Sequence, residues 1–260
     1  MAEVIIVDSA EAAGRLVSDH IAEQVQISPQ FVLGVATGST PLPVYRALAA
    51  RRERGVDFSE AFAFALDEYV GLPEDHPQSY RAVIDREVTQ PLGLDPTRVN
   101  VPDGRAEGIE TTGERYEAAL NASGGIDLQL LGIGTTGHIG FNEPGSSFGS
   151  LTRVKTLTEQ TRADNARFFS SLDEVPIHCV TQGLGTILRA RHLVLLAFGE
   201  VKAKAVAASV EGPVTASLPG SAIQLHEHVT VVVDEAAASR LKHGDYYRWA
   251  QANKPAWQGL

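Results

Sequence analysis

A histidine and a glutamate stand five residues apart in a glycine-rich segment that follows an apolar run. The run, 126–131, predicts a buried strand, and glycines in the next segment, 132–144, permit positive φ and close approach of a ligand to the backbone. His138 and Glu143 would lie near one another there, and imidazole with carboxylate can move a proton near neutral pH. A lone Gly-His pair more often caps a strand, but four glycines, the histidine and Asn-Glu-Pro together favour a site.

The segment after the predicted strand 31–36 could bind an anion. It carries a glycine, three hydroxyls and a proline in the order Thr37-Gly38-Ser39-Thr40-Pro41. Gly38 permits close approach, and a helix that begins at Pro41 would direct backbone N–H groups and its dipole toward a phosphate. A plain helix cap explains the segment equally well, and it is not a P-loop because the Gly-Lys-Ser/Thr ending is absent.

Two acids, Asp67 and Glu68, follow the predicted strand 61–66. They could be solvated or could cap the next element, which is the commoner role for such a pair. A carboxylate partly removed from water at this point would instead have a raised pKa and serve as a general base.

Basic residues in three further segments could bind an anion. Lys202 lies in the first turn of a predicted helix, where a lysine opposes the helix dipole unless an anion binds beside it. Arg167 is a weaker candidate, because a plain surface arginine is the commoner explanation for a residue of this kind. Arg153 and Lys155 alternate along a segment that could be a strand, so they could form a second anion site or a solvated strand face.

Short apolar runs alternate with longer amphipathic ones, which predicts β-α-β units, a mostly parallel twisted sheet and helices on both faces. The predicted strands are 4–7, 31–36, 61–66, 126–131, 179–181, 193–198 and 229–233. The predicted helices are 10–25, 41–54, 78–89, 109–122, 184–190, 201–209 and 235–252. No repeat or long linker divides the chain, so we expect one Rossmann-like α/β domain, 1–260. Ligands of such sheets bind beyond the carboxyl ends of the strands.

Composition limits the functional classes. With 260 residues, 43% hydrophobic and 21% charged, the chain can form a buried core. A net charge of −10 and a pI near 5.3 argue against a general nucleic-acid or membrane-surface binder. The sole cysteine, Cys179, excludes an intrachain disulfide and fits a reducing compartment. The N-terminus lacks the basic region of a signal peptide, and no apolar run approaches the ~20 residues of a membrane span, so we expect a cytoplasmic protein.

Taken in order along the chain, these motifs resemble the glucosamine-6-phosphate deaminase family. Two of them are highly specific together: Leu66-Asp67-Glu68-Tyr69-Val70-Gly71-Leu72 and Gly137-His138-Ile139-Gly140-Phe141-Asn142-Glu143-Pro144. The others are Thr37-Gly38-Ser39-Thr40-Pro41, His76-Pro77-Gln78-Ser79-Tyr80, Arg153-Val154-Lys155-Thr156-Leu157, Asn165-Ala166-Arg167-Phe168-Phe169 and Val210-Glu211-Gly212. The resemblance runs in order from near the N-terminus to about residue 235 and so covers most of the chain. The related 6-phosphogluconolactonases lack the Phe-Asn-Glu-Pro continuation.

The resemblance implies an enzyme of amino-sugar catabolism that converts glucosamine 6-phosphate and water to fructose 6-phosphate and ammonia. In that family His138 matches the acid and base of ring opening, Glu143 the carboxylate that orients it, and Asp67 the base that moves the C2 proton to C1. Tyr80 matches a residue that lines the active-site lid. The remaining matches to substrate-binding residues, most of them at the phosphate, are Thr37, Gly38, Ser39, Thr40, Gly137, Arg167 and Lys202.

The implied partner is a small amino-sugar phosphate, without nucleic acid or membrane, and the chain could form a homo-oligomer. The implied reaction needs no cofactor, because no hydride moves and no electron sink is required. No metal is implied either, since His138 lacks neighbouring ligands at a zinc-like spacing.

The chain departs from the family pattern at two places. Thr136 stands where many members carry an aspartate and others an asparagine, and a threonine cannot hold a negative charge. In allosteric hexameric members, a serine, an arginine, a lysine and a tail tyrosine bind N-acetylglucosamine 6-phosphate. Ser146, Arg153 and Lys155 match the first three, but Tyr247 matches the tyrosine only with a one-residue shift.

Two other classes of function remain open at this point. One is a lactonase, or an isomerase that keeps the amine, on the same scaffold. The other is a non-catalytic sugar-phosphate sensor, which is expected to carry a basic helix-turn-helix and could dispense with Asp67.

Overall fold

The computed structural model describes residues 2–73, 75–255 and 257–260. Its strands are β1 (Glu3–Val7), β2 (Val32–Val35), β3 (Phe62–Ala65), β4 (Asp67–Tyr69), β5 (Val99–Asn100), β6 (Leu128–Gly132), β7 (Arg153–Thr156), β8 (His178–Thr181), β9 (His192–Ala197) and β10 (Val229–Asp234). Its α-helices are α1 (Ala10–Ile27), α2 (Leu42–Glu53), α3 (Tyr80–Ile84), α4 (Gln90–Leu92), α5 (Thr112–Ala122), α6 (Glu159–Asn165), α7 (Leu184–Ile187), α8 (Glu200–Glu211), α9 (Glu235–Ala238) and α10 (Gly244–Ala252). A π-helical turn forms at Asp85–Thr89, and 3₁₀ segments form at Pro96–Arg98, Ile109–Thr111, Ala166–Phe168, Leu172–Glu174 and Pro219–Leu225.

The larger sheet has seven strands in the order β1-β10-β9-β6-β2-β3-β5, and all of its strand pairs are parallel. This confirms the predicted α/β fold with a mostly parallel sheet. Successive residues of a strand face opposite sides of the sheet. Leu131 and Leu195 therefore join one buried core, and Leu130 and Val194 join the other. Because apolar side chains cover both faces, the central strands are almost continuously apolar.

The strand order reverses between β2 and β6. From β2 the chain continues outward to β3 and β5, then returns to β6 on the other side of β2 and proceeds to β9 and β10. Ligands of open α/β sheets bind outside the carboxyl ends of the strands at such a reversal. The segments that follow β2 and β6 therefore flank the expected site.

A second sheet consists of three antiparallel strands, β4-β8-β7. The predicted strand 179–181 belongs to this sheet rather than to the parallel one, and Asp67 begins β4 instead of lying in a loop. Arg153 and Lys155 lie on β7, so the strand alternative for this segment is correct. The sheet escaped the sequence analysis because its short strands pair across long stretches of chain, without a hairpin turn that a local pattern would show.

Two predicted helices are interrupted. The helix predicted at 78–89 ends as α3 at Ile84 and continues as the π-helical turn. The helix predicted at 235–252 breaks between α9 and α10, where the backbone N–H groups of Lys242 and His243 donate to the carboxylate of Glu211 at 2.7 and 2.9 Å. This distant acceptor turns the chain, and an amphipathic pattern cannot reveal it.

Candidate active site

The segments that carry the candidate residues follow four adjacent strands, β9, β6, β2 and β3. Lys202 comes after β9, His138 after β6, Thr40 after β2 and Asp67 after β3. Adjacent parallel strands end at the same edge of a sheet, so these segments converge there. Two of them approach closely at the strand reversal, where a Cβ built on Gly132, the last residue of β6, would lie 3.9 Å from Thr40 Cβ.

His138 meets two oxygen atoms through one ring nitrogen. Its Nδ1 lies 3.0 Å from Thr136 Oγ1 and 3.6 Å from Glu143 Oε2. The ring rests on Gly134, where a Cβ would lie 2.2 Å from Cε1 and Nε2, so a side chain at this position would displace the imidazole. Gly137 has a φ of 81°, which favours glycine. Nδ1 therefore faces the orienting groups, and Nε2 is the nitrogen that can exchange a proton with a substrate.

Glu143 is buried and held by the start of α6. Its Oε1 accepts hydrogen bonds from Thr158 Oγ1, at 3.2 Å, and from Thr161 Oγ1. Burial disfavours the charged carboxylate, but the contacts with His138, Thr161 and Thr158 outweigh it and lower the pKa of Glu143. A charged Glu143 thus places a carboxylate beside the imidazole of His138.

Asp67 is 6% exposed and lies beside the loop that carries the histidine. Its Oδ2 is 3.5 Å from the position of a Cβ on Gly140, which comes two residues after His138. Burial, with a further contribution from the charge of Glu68, raises the pKa of Asp67 to about 8. Such a carboxyl can take up and release a proton near neutral pH.

Glu68 is buried too, but it has a structural role. Its carboxylate accepts the backbone N–H groups of Tyr69, Tyr80 and Arg81 at 2.7, 2.8 and 2.9 Å. Two of these donors belong to the first turn of α3, whose free N–H groups need acceptors. Glu68 therefore has the commoner role of an acid at a strand end, which is to cap the helix that follows.

Tyr80 lies between the segment 37–41 and the glycine-rich segment 132–144. Its ring stacks on Phe141 with centroids 6.0 Å apart and planes at 13°, and its centroid lies 4.8 Å from that of Tyr69. Its hydroxyl lies within reach of the side chain of Thr37. These aromatic side chains form a small core beside the carboxyl edge of the parallel sheet, with Leu157 and Cys179.

The segment 37–40 leaves an open helix terminus. Gly38 has a φ of 88°, and Gly38 and Ser39 are exposed. The N-cap of α2 is Pro41, whose side chain makes no hydrogen bond to the first turn of the helix. The backbone N–H groups there are suited to a phosphate.

Lys202 lies half-buried in the first turn of α8. Burial lowers its pKa, the charge of Asp164 raises it and that of Arg167 lowers it, so these three side chains lie within electrostatic reach of one another. Within the described ranges, the ammonium group of Lys202 has no hydrogen-bond or ion-pair partner, whereas its backbone N–H donates to the carbonyl of Gly199 at 3.0 Å. Arg167 is exposed, and its guanidinium lies 4.7 Å above the ring of Phe168. The structure thus brings Lys202 to the edge of the sheet, whereas the guanidinium of Arg167 packs against the ring of Phe168.

The second group of candidates lies on the small sheet and beside it. Arg153 and Lys155 are half-buried and flank the exposed Val154, as expected for one face of a strand. Ser146 is buried and donates to the backbone carbonyl of Glu143 at 2.7 Å. The hydroxyl of Tyr247 donates to Glu211 Oε1 at 3.2 Å, which commits it to a different partner.

The sequence analysis overlooked several residues of this edge. Thr158 and Thr161 hold Glu143, and Thr181 accepts the N–H of Phe141 at 3.1 Å. Thr158 is the N-cap of α6 and could have been recognised as a helix start. The contacts of Thr161 and Thr181 depend on distant segments and leave no local signal.

Within 2–73, 75–255 and 257–260, no three His, Cys, Asp or Glu side chains are grouped to hold a metal ion. No helix in these ranges is long and apolar enough to cross a membrane.

Residues 7–232 match the family of glucosamine-6-phosphate isomerases and 6-phosphogluconolactonases. The chain belongs to this family. A glucosamine-6-phosphate deaminase of Streptomyces coelicolor is 61% identical over 260 residues, which cover 99% of this chain and 100% of the relative. Another, of Bifidobacterium longum, is 55% identical over 270 residues and all of both chains. The resemblance drawn from the motifs is confirmed.

Solved structures of family members share the fold. A structure described as a monomeric glucosamine-6-phosphate deaminase superimposes with a TM-score of 0.89 at 41% identity, covering 92% of this chain and 100% of that one. A 6-phosphogluconolactonase of Trypanosoma brucei gives a TM-score of 0.76 at 18% identity, covering 93% and 99%. The second likeness concerns the fold alone.

Proposed function

We propose that this protein is a glucosamine-6-phosphate deaminase, which converts glucosamine 6-phosphate and water to fructose 6-phosphate and ammonia in amino-sugar catabolism. The observation that carries the proposal is the buried carboxyl of Asp67, with a pKa raised by burial to about 8, beside the loop of His138. A carboxyl of this kind can accept a proton from carbon and return it near neutral pH. The deaminases of Streptomyces and Bifidobacterium, at 61 and 55% identity, support the same activity.

His138 opens the pyranose ring in this proposal. Its Nε2 takes the proton of the anomeric hydroxyl and delivers a proton to the ring oxygen, so the hemiacetal becomes an aldehyde. Glu143, held in its charged form by Thr158 and Thr161, stabilises the imidazolium between the two transfers. Thr136 accepts or donates one hydrogen bond at Nδ1 without adding a charge.

Asp67 then isomerises the open-chain sugar. Its carboxylate removes the proton at C2 and returns it at C1, while the aldehyde oxygen takes up the proton that the C2 ammonium group gives up. The aldehyde thus becomes a hydroxymethyl group, and the ammonium group becomes a protonated C2 imine. Water adds to this imine and ammonia leaves, so the product is fructose 6-phosphate and Asp67 ends in its starting form.

The phosphate is bound in this proposal by backbone and hydroxyl groups of Thr37, Gly38, Ser39 and Thr40, with Lys202 and Arg167. The uncapped start of α2 and the half-buried, unpartnered ammonium of Lys202 support this position. Gly137 and Tyr80 line the sugar.

A second anion site is proposed at Ser146, Arg153 and Lys155, with N-acetylglucosamine 6-phosphate as an activator. The shared, half-buried face of Arg153 and Lys155 supports it. Raising the concentration of this compound at sub-saturating substrate is expected to increase the rate, and an unchanged rate would exclude the site.

We further propose that the chain acts in the cytoplasm as one domain, 1–260, and could assemble as a homo-oligomer. Light scattering of the purified protein would determine the assembly. Fractionation of cells would determine the compartment.

The decisive experiment follows ammonia and fructose 6-phosphate together while purified protein is incubated with glucosamine 6-phosphate. Equal amounts of both are expected. Ketose without ammonia would identify an isomerase, and binding without turnover a sensor. If the protein instead hydrolyses 6-phosphogluconolactone and leaves glucosamine 6-phosphate unchanged, it is a lactonase.

A further inference from the structure

The general base and the ring-opening histidine belong to different sheets. Asp67 starts β4 of the antiparallel sheet, whereas His138 lies in the loop after β6 of the parallel sheet. The parallel sheet already brings the two segments to one edge, since Asp67 lies two residues beyond the end of β3 and the N–H of Leu66 donates to the backbone carbonyl of Val35. The two groups act on adjacent atoms of one sugar, so a contact between the histidine loop and the small sheet is needed to fix their spacing more closely.

Thr181 provides such a contact. It is fully buried and stands directly opposite Asp67 in the antiparallel pairing of β4 with β8. Its Oγ1 accepts the backbone N–H of Phe141 at 3.1 Å and lies 3.3 Å from the backbone carbonyl of Gln182. One hydroxyl thus joins the strand pair of Asp67 to the loop three residues beyond His138.

Gly140 shows how closely the loop approaches this strand pair. A Cβ at Gly140 would lie 3.0 Å from Thr181 Oγ1 and 3.5 Å from Asp67 Oδ2. The φ of Gly140 is 54°, in the left-handed region. The backbone at this point therefore rests between the threonine hydroxyl and the carboxyl of the base.

We propose that Thr181 is a positioning residue for the deaminase reaction, whose hydroxyl holds the histidine loop in register with Asp67. The proposal rests on the proposed function for its chemistry. Asn142 adds a second tie at the same strand end, because its Nδ2 donates to the backbone carbonyl of Gln182 at 2.8 Å. The amide fixes the far end of the loop, and the Thr181 hydroxyl fixes the part nearest Asp67.

The first test compares Thr181→Val with Thr181→Ser. Valine keeps the size and removes the acceptor, so kcat for glucosamine 6-phosphate is expected to fall by about 10- to 100-fold while KM stays within about twofold. Serine keeps the hydroxyl and is expected to stay within about threefold of the parent. Parental kcat in Thr181→Val, or no rescue by serine, would overturn the proposal.

Thr186→Val serves as the matched control. Thr186 is 2% exposed, and its hydroxyl is bonded to Glu117 at 2.5 Å, away from the site. The variant Thr186→Val is expected to lower Tm as Thr181→Val does, but to leave kcat unchanged. An equal loss of kcat in both variants would assign the effect to general destabilisation and overturn the proposal.

Two measurements keep the inference testable where Thr181→Val folds poorly or the parent lacks the proposed activity. Gly140→Ala inserts a methyl group between Thr181 and Asp67 and is expected to lower kcat with the hydroxyl intact. Amide hydrogen exchange at Phe141, followed by NMR, is expected to be at least tenfold faster in Thr181→Val than in the parent or Thr181→Ser. Unchanged exchange at Phe141 would refute the contact, whereas failure of the parent to release ammonia would refute the proposed function alone.

Discussion

The two ends of the parallel strands bury ionisable groups in opposite ways. At the carboxyl ends, burial raises the pKa of Asp67 to about 8. At the amino ends, His192 begins β9, stacks on His228 with centroids 3.7 Å apart and planes at 2°, and meets His20 edge-on at 5.5 Å. Burial and the neighbouring histidines lower the pKa of His192 to about 3. The same loss of water favours the uncharged form of both groups, so it raises the pKa of the carboxyl toward neutral pH and lowers the pKa of the imidazole away from it.

This contrast teaches which group can exchange protons in the cell. A buried carboxyl with a pKa near 8 titrates close to neutral pH, whereas a buried imidazole with a pKa near 3 stays neutral and acts as a packing group. Residue type alone would have favoured the histidine cluster. The direction in which burial shifts each group favours the carboxyl edge.

Replacement of the base is expected to have the largest effect. Asp67→Asn should lower kcat by about 10²–10⁴-fold with little change in substrate binding, because a general base is lost. Glu68→Gln, which weakens the cap of α3, should lower Tm but reduce kcat far less. Steady-state kinetics and solvent deuterium at C1 of the product measure both. Parental turnover in Asp67→Asn would remove the distinction between the two acids.

Removal of the cations should act on KM. Lys202→Ala is expected to raise KM by roughly one to two orders of magnitude, because a charge-assisted hydrogen bond contributes about 1.5–3 kcal/mol. Arg167→Ala should act in the same direction but more weakly, since its guanidinium is exposed and rests on Phe168. Inhibition by glucosamine without phosphate is the control and should not change. Unchanged KM in both variants would place the phosphate elsewhere.

The pH profile tests the raised pKa of the base directly. Asp67 must be charged to remove the C2 proton, and its pKa of about 8 leaves it protonated below that value. The value of kcat/KM should therefore rise by up to about tenfold per unit as pH increases toward 8. Rates at constant ionic strength between pH 6 and 9 check this. A profile that is flat from pH 6 to 8 would contradict it.

The amino edge should influence stability instead of activity. His192 has a pKa of about 3 in the fold and 6.5 as its ordinary value, so the unfolded chain takes up the proton first as pH falls. The neutral, buried His192 therefore makes its full contribution to the free energy of unfolding above pH 6.5. This contribution is lost as pH falls from 6.5 toward 3, by at most about 1.4 kcal/mol per pH unit. The charged or titratable groups around the cluster are Glu3, Glu23, His226 and Lys254.

Urea unfolding at pH 7.5 and 5.5 measures this loss. His192→Val should lose less stability between the two values than the parent and should keep the parental kcat at pH 7.5. An identical pH dependence in both proteins would show that other groups control stability at this edge.

The smallest effect is expected at Thr136, 3.0 Å from His138 Nδ1. Thr136→Asp adds a negative charge that favours the imidazolium, so the limb of the pH–rate profile that depends on His138 should move to higher pH. The move should be about one unit or less, because Glu143 already supplies a carboxylate. Thr136→Asn, without a charge, should follow the parent. Superimposable profiles for Thr136→Asp and the parent would show that position 136 does not sense the histidine's charge.

Local patterns determined much of this protein. Apolar runs predicted six of the seven parallel strands, and only β5, with two residues, was missed. The polar segment 37–41, the glycine-rich segment 132–144 and the acids after 61–66 could be located because strand, turn and polar residue follow one another along the chain. The family could be identified from the same segments.

The tertiary structure alone decided how these segments act together. The antiparallel sheet pairs Asp67 with Thr181, and the ties to Glu143 come from Thr158 and Thr161, across separations that no local pattern spans. The different roles of Asp67 and Glu68, adjacent residues of the same charge, depend on whether backbone donors reach the carboxylate. Those donors, and the amount of water removed from each group, are properties of the packed chain, because both depend on segments that meet only when the sheets assemble.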